Sequence, residues 1–180
     1  MEKSDLSPKE VRIVQAITDF QMALSAVDFL SQADPDMPIS RIERRRLRCF
    51  EDAAVVAYWR PFSRSHGLPT ISLEELGIKP TPDQITLHER LKKRRNKVVA
   101  HTDADRMRLA FNTIKIFDDE IFMLPQVDFD DSLEFYPDRE ALLLWVRTLV
   151  QAAARTIIRR VQRRSQIRFI RDYTNQIRLT

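Results

Sequence analysis

Residues 81–101 read TPDQITLHERLKKRRNKVVAH. Thr81 is a helix cap, Pro82 suits a first helical position, and Gln84 can return a bond to the cap. Ile85, Leu91 and Val98 then form an expected buried stripe. The same grammar recurs outward in both directions. Ser7-Pro8-Lys9-Glu10 opens a helix carrying Val11, Val14, Ile17, Leu24 and Val27, which Ala33-Asp34-Pro35 and Pro38 interrupt. Ser40-Arg41-Ile42-Glu43 opens a second with Leu47, Phe50, Ala54, Val55 and Tyr58, ended near Arg60 by Pro61. Pro137-Asp138-Arg139-Glu140 opens the last, whose expected core face is Leu142, Trp145, Leu149, Ala152, Thr156 and Val161.

Four long helices predict a mainly α fold, an antiparallel helical bundle. Residues 61–80 are a connection with one short helical turn, Ser72-Leu73-Glu74-Glu75, before Gly77. After Asp105 the pattern admits either a helix or strands. Met107, Leu109 and Phe111 alternate, as do Ile114 and Ile116, and Asp118-Asp119 can turn the chain before Ile121–Leu124. A small β-hairpin insertion is the favoured reading.

Composition agrees. The chain has 180 residues and only 2 glycines, so turns that need positive φ are few and helices are favoured over a many-stranded fold. One domain over residues 1–180 is expected, with a basic C-terminal tail at 165–180. Met1–Glu10 is polar and charged, and the apolar runs Ala53–Trp59 and Ala141–Val146 are too short to span a bilayer. A soluble, cytoplasmic protein without a membrane partner is the expectation. The lone Cys49 has no internal disulfide partner and reads as inert.

The formal net charge of +4 hides a segregation of charge along the chain. Arg41–Arg48 holds five arginines against Glu43, Arg90–Lys97 holds six basic residues, and Arg155–Arg178 holds eight arginines against Asp172. Such blocks are either solvated helix faces or the footprint of a nucleic-acid-binding surface.

The second block ends in the chain's most chemically suggestive grouping, Arg95, Asn96 and His101. Arginine holds phosphate through a planar fork of donors, and histidine moves protons near neutrality. Arg94, Lys93, Lys97 and Arg60 are candidate RNA phosphate contacts; Asp103 and Tyr58 are candidate supporting residues. On a continuous helix Arg94 and His101 share a face, whereas Arg95 points about 120° away. Either the helix breaks near Val99 or Arg94 contributes; the catalytic assignment goes to Arg95 because Asn96 comes directly after it. His88 reads as structural or partner-facing, His66 as a loop residue, and Thr102-Asp103 as a cap for the next segment.

The RNKVVAH segment at 95–101 resembles the signature of the HEPN superfamily, in which an arginine, usually followed by a polar residue, precedes a histidine with four to six residues between them; here five intervene. Tyr58-Trp59-Arg60-Pro61-Phe62-Ser63 and Leu87-His88 are similar to a subgroup associated with abortive infection and related bacterial defence. The resemblance spans residues 10–165 in architecture and is specific around 88–103. It implies a HEPN-like bundle that homodimerises, so that two Arg-His motifs meet in one composite RNA-cleaving site. An antitoxin or another protein partner is also implied. HEPN toxins controlled by nucleotidyltransferase antitoxins often carry a tyrosine two residues after the histidine; Asp103 stands there, so that regulation is not expected.

The chemistry can be derived from the residues as well. Cleaving RNA without a metal takes a base for the 2′-hydroxyl proton, an acid for the leaving 5′-oxygen and a cation for charge growing on the phosphate. Two copies of His101 and Arg95 supply all three. No His, Cys and carboxylate ligands fall at metal spacing, so neither a metal nor another cofactor is expected. Two other readings stand beside this one: a non-catalytic HEPN-like module that binds RNA, a nucleotide or a protein, and a structural helical dimer built on the arginine-rich last helix.

Overall fold

A computed structural model describes residues 6–34, 36, 38–65, 67–100, 107–117, 120–129 and 132–165. Helix α1 spans Pro8–Ser31, α2 Arg41–Trp59, α3 Pro82–Ala100 and α4 Arg139–Ser165. A 3₁₀ turn, Arg60–Phe62, comes directly after α2, and strands β1 (Met107–Phe117) and β2 (Glu120–Phe129) lie between α3 and α4. Helix α1 packs against both α2 and α4, and α2 packs against α3.

The caps form as the local sequence requires. The Ser7 side chain accepts from the Glu10 amide while the Glu10 carboxylate accepts from the Ser7 amide at 2.8 Å. Ser40 receives the Glu43 amide at 3.1 Å, and Thr81 and Gln84 exchange bonds at 2.9 and 3.3 Å. Between α2 and α3, Ser72 and Glu75 cap a single turn that closes at Gly77, whose φ of 70° glycine adopts without steric cost.

The core is apolar and helical. From α1 it takes Ile13, Ala16, Phe20, Ala23, Val27 and Leu30, from α2 Leu47, Ala54, Val55 and Tyr58, and from α4 Leu142, Trp145, Val146, Leu149, Ala152 and Ala153. Three stripes differ from expectation at their margins. Val14, Ile85 and Val161 are exposed, while Ile13 and Leu87 are buried. For Val14 and Ile85 the buried position is the neighbour one or two residues away, a choice that periodicity alone leaves open.

The expectation of a small hairpin inserted in the bundle is corrected on two counts. The bundle is helical: its described buried cluster is drawn from α1 to α4 and from the connections at Ile71, Leu76 and Phe135. Between α3 and α4 there is instead a long two-stranded ribbon of its own, antiparallel from Met107↔Phe129 to Phe117↔Glu120, irregular between Lys115 and Phe117. The expected strand stopped at Leu124, whereas β2 runs on through Pro125 to Phe129. In a two-stranded ribbon each strand is an edge, and an edge tolerates a residue that cannot donate a backbone bond.

After the ribbon the chain is pinned back to α2 and α3. The buried Glu51 carboxylate accepts the amides of Glu134 (3.0 Å) and Phe135 (2.8 Å), Arg48 Nη1 donates to Ser132 O at 2.8 Å, and Arg90 pairs with Asp138 at 2.7 Å. Phe135 is fully buried as a result. Two helices, Pro8–Ser31 and Arg139–Gln162, are long and apolar enough to cross a membrane by length and composition. Both carry arginines that interrupt their apolar runs, and the two pack against each other.

Candidate functional site

Leu87 and Leu91 of α3 are buried against the bundle, and the next position on that stripe is Arg94. Arg94 is 1% exposed and lies inside a cluster of carboxylates: Asp52 at 2.9 Å, Glu134 at 3.8 Å and Glu51 at 4.0 Å. Asp52 also accepts a bifurcated bond from Arg48 Nε, 3.1 Å to each carboxylate oxygen. Burial pushes the Glu51 carboxyl up from its ordinary range, against the two amide bonds and the nearby arginines that draw it down. Arg94 therefore belongs to the packing of α3 onto α2. This corrects its assignment as a phosphate contact, because a guanidinium surrounded by protein carboxylates is not presented to RNA.

One residue on, the helix has turned by about 100°. Arg95 is partly exposed, and its Nη1 donates to Asn96 Oδ1 at 3.3 Å. Lys93 and Lys97 are exposed on the same end of α3. The helix continues to Ala100 without a break at Val99. His101 and Asp103 lie outside the described residues, as does His66.

Arg95 lines a cleft of about 570 Å³ with residues of α1, α2 and the turn after it. Arg60 and Arg64 come from that turn, and Arg12 and Asp19 from α1, with Val56 as apolar wall. Arg12 is 4% exposed. Its Nη2 donates to the carbonyls of Arg60 and of Ser63 (3.0 Å), which fixes the turn that presents Arg60 and Arg64. Its Nε is buried with no hydrogen-bond partner among the described residues. Burial pulls the Arg12 pKa down while Asp19 draws it up; an arginine at such a site keeps its charge. Asp19 also holds Arg60 Nη1 at 3.4 Å.

Of the sequence candidates, Arg60 and Arg95 thus come together although 35 positions separate them. Arg12, Asp19 and Arg64 were missed. The signal for Arg12 was an arginine four positions before the buried Ala16, where the α1 stripe called for an apolar residue. Arg64 carried no signal of its own, since only the folded turn brings it to the cleft.

Tyr58 is elsewhere. It is 1% exposed, and its hydroxyl accepts from Trp145 Nε1 at 2.8 Å and meets His88 Nδ1 at 2.7 Å. The phenol's own hydrogen is then left for His88, so His88 accepts at Nδ1 and carries its proton on Nε2. Trp59 and Phe62 flank that imidazole at ring-centroid distances of 4.7 and 5.0 Å. Burial pushes the Tyr58 phenol pKa up, opposed by the Trp145 bond. This corrects Tyr58 as a supporting site residue: it joins α2, α3 and α4 in the core, and His88 has a structural role.

That arrangement sets a pH dependence. Burial lowers the His88 pKa, with Glu89 drawing it up and Lys92 down. The unfolded chain therefore takes up this proton first as pH falls. The stabilisation is fully present above about pH 6.5 and is lost as pH drops toward the lower folded value. The melting temperature is expected to fall as the pH drops below about 6.5, and His88→Asn, which keeps an acceptor near Nδ1, should flatten that slope. An unchanged slope in the variant would remove His88 as its source.

Comparison with family models, with curated proteins and with solved structures gave no match.

Proposed function

We propose that this chain is a metal-independent endoribonuclease of HEPN type, active in the cytoplasm in bacterial defence or as a toxin, with a homodimeric composite site. The supporting observation is the convergence of Arg95, the arginine of the motif, with Arg12, Arg60 and Arg64 in one cleft. A planar guanidinium suits a phosphate oxygen pair, and several around one opening hold the phosphates of a bound strand. In this reading Arg95 neutralises charge that grows on the phosphate, Asn96 orients it, and His101, next in the chain after the last residue of α3, moves the protons.

A second reading has its own support. The described cationic groups of the cleft are arginines, which do not release protons near neutral pH. Without the histidine such a cleft binds phosphate and does no proton transfer, so a non-catalytic RNA- or nucleotide-binding module is the alternative. Incubation of purified protein with total RNA in EDTA separates the two. Cleavage by wild type but not by His101→Ala supports the nuclease, whereas binding without cleavage in both supports the module. In either case affinity should fall steeply between about 50 and 200 mM salt, because several released counterions contribute to it. An affinity insensitive to salt would count against RNA as the ligand.

A further inference from the structure

We propose that the cleft between α1, the Arg60–Ser65 turn and α3 is an end pocket, built for the terminal phosphomonoester of an RNA strand or nucleotide. The inference rests on the reading of this cleft as RNA-facing and goes one step further, to which phosphate it takes. Three observations carry it.

The first is size. At about 570 Å³ the cleft has the capacity of a small-ligand site, with lining from α1, Val56, the turn and Arg95, and a strand end or a mononucleotide is of that size. The second is charge. Four arginines face one aspartate, and a phosphomonoester carries about −1.5 to −2 near neutrality, against about −1 for each internal phosphodiester. The doubly charged end group matches such a surplus better and has three oxygens to accept from separate guanidinium forks.

The third is what the interior lacks and what stands in for a ligand. Arg12, which lines the cleft, is almost wholly buried, and its Nε has no acceptor among the described residues. Asp19, whose side chain is 14% exposed, holds Arg60 at 3.4 Å, the outer limit of a hydrogen bond. A terminal phosphate offers the acceptors the cleft lacks and draws Arg60 away from Asp19. Asp19 acts as a built-in competitor and sets the affinity. Arg64, exposed on the turn, closes over the phosphate from outside.

The test uses the full chain with short single-stranded oligonucleotides fully 2′-O-methylated, which lack the hydroxyl nucleophile and stay intact. Three forms carry a phosphate at the 5′ end, at the 3′ end, or at neither. Binding at constant ionic strength is expected to be at least about tenfold tighter for one phosphorylated form, a difference of roughly 1.4 kcal/mol. Arg64→Ala should bring that preference to near one, and Asp19→Asn should widen it. A nucleoside monophosphate that competes as well as the phosphorylated strand supports the pocket and identifies a free nucleotide as the source. Inorganic phosphate, used alone, should compete weakly.

Equal binding of all three forms overturns the end pocket, and salt-sensitive binding in that case leaves the RNA-directed function standing. A preference that survives Arg64→Ala places the end group elsewhere and overturns the assignment too. No binding of any form defeats the inference and the RNA reading together.

Discussion

Arg95→Ala is expected to reduce metal-independent RNA cleavage by about 10²–10³-fold, the usual cost of removing one donor aimed at developing charge. His101→Ala should cost about 10²–10⁴-fold through loss of proton transfer. Arg95→Ala should not move the melting temperature by more than about 2 °C, because substitutions outside a packed core shift stability by under about 0.5 kcal/mol. Arg95 meets that condition: it is partly exposed, and its one described side-chain bond runs to the adjacent Asn96. Rates are read in EDTA on a defined RNA, and stability by thermal melting of the same preparations. Equal cleavage by wild type and both variants would remove the nuclease reading. A melting temperature that falls with the rate would reduce Arg95 to a structural part.

The neighbouring substitution should behave in the opposite way. Arg94→Ala is expected to destabilise the fold by about 3–5 kcal/mol, which for a chain of this size lowers the melting temperature by roughly 6–20 °C. The reason lies in what remains. Glu51 is 1% exposed and stays held between the amides of Glu134 and Phe135, while the cation beside it is gone. Burial already pushes its carboxyl up, and loss of Arg94 removes one of the charges that draw it down. Asp52 keeps Arg48, so the cost falls mainly on Glu51 and on the connection it pins. Arg94→Met with Glu51→Gln removes both buried charges at similar volume and should recover part of the loss. An unchanged melting temperature in Arg94→Ala would mean that the cluster does not hold α3 to α2.

These two arginines show where the sequence was readable. Both lie in the basic block that ends α3; Arg95 was the catalytic candidate and Arg94 a candidate phosphate contact. The separating clue was present: Glu51 sits on the α2 stripe of Leu47, Ala54, Val55 and Tyr58, where a charge is costly unless it is paired. A buried carboxylate on one helix calls for a buried cation on another. The spacing of Leu87, Leu91 and Arg94 names which one.

The ribbon teaches a related lesson. Alternation indicated extended chain after Asp105 as far as Leu124, whereas β2 runs on through Pro125 to Phe129, and the paired register comes from the partner strand and not from local pattern.

What the sequence determined by itself is local: four helices, their caps at Ser7, Ser40 and Thr81, and the turn at Gly77. Each depends on bonds between residues three or four apart and on backbone preferences that any fold respects. Which arginine is buried, and which arginines share a cleft, was left to the tertiary structure. Arg12, Arg60, Arg64 and Arg95 come from three separate segments, and Arg94 finds its carboxylates on α2 and beyond the ribbon. Desolvating a guanidinium is tolerable only where opposite charge and acceptors are already in place, and those partners are assembled by the packing of distant helices.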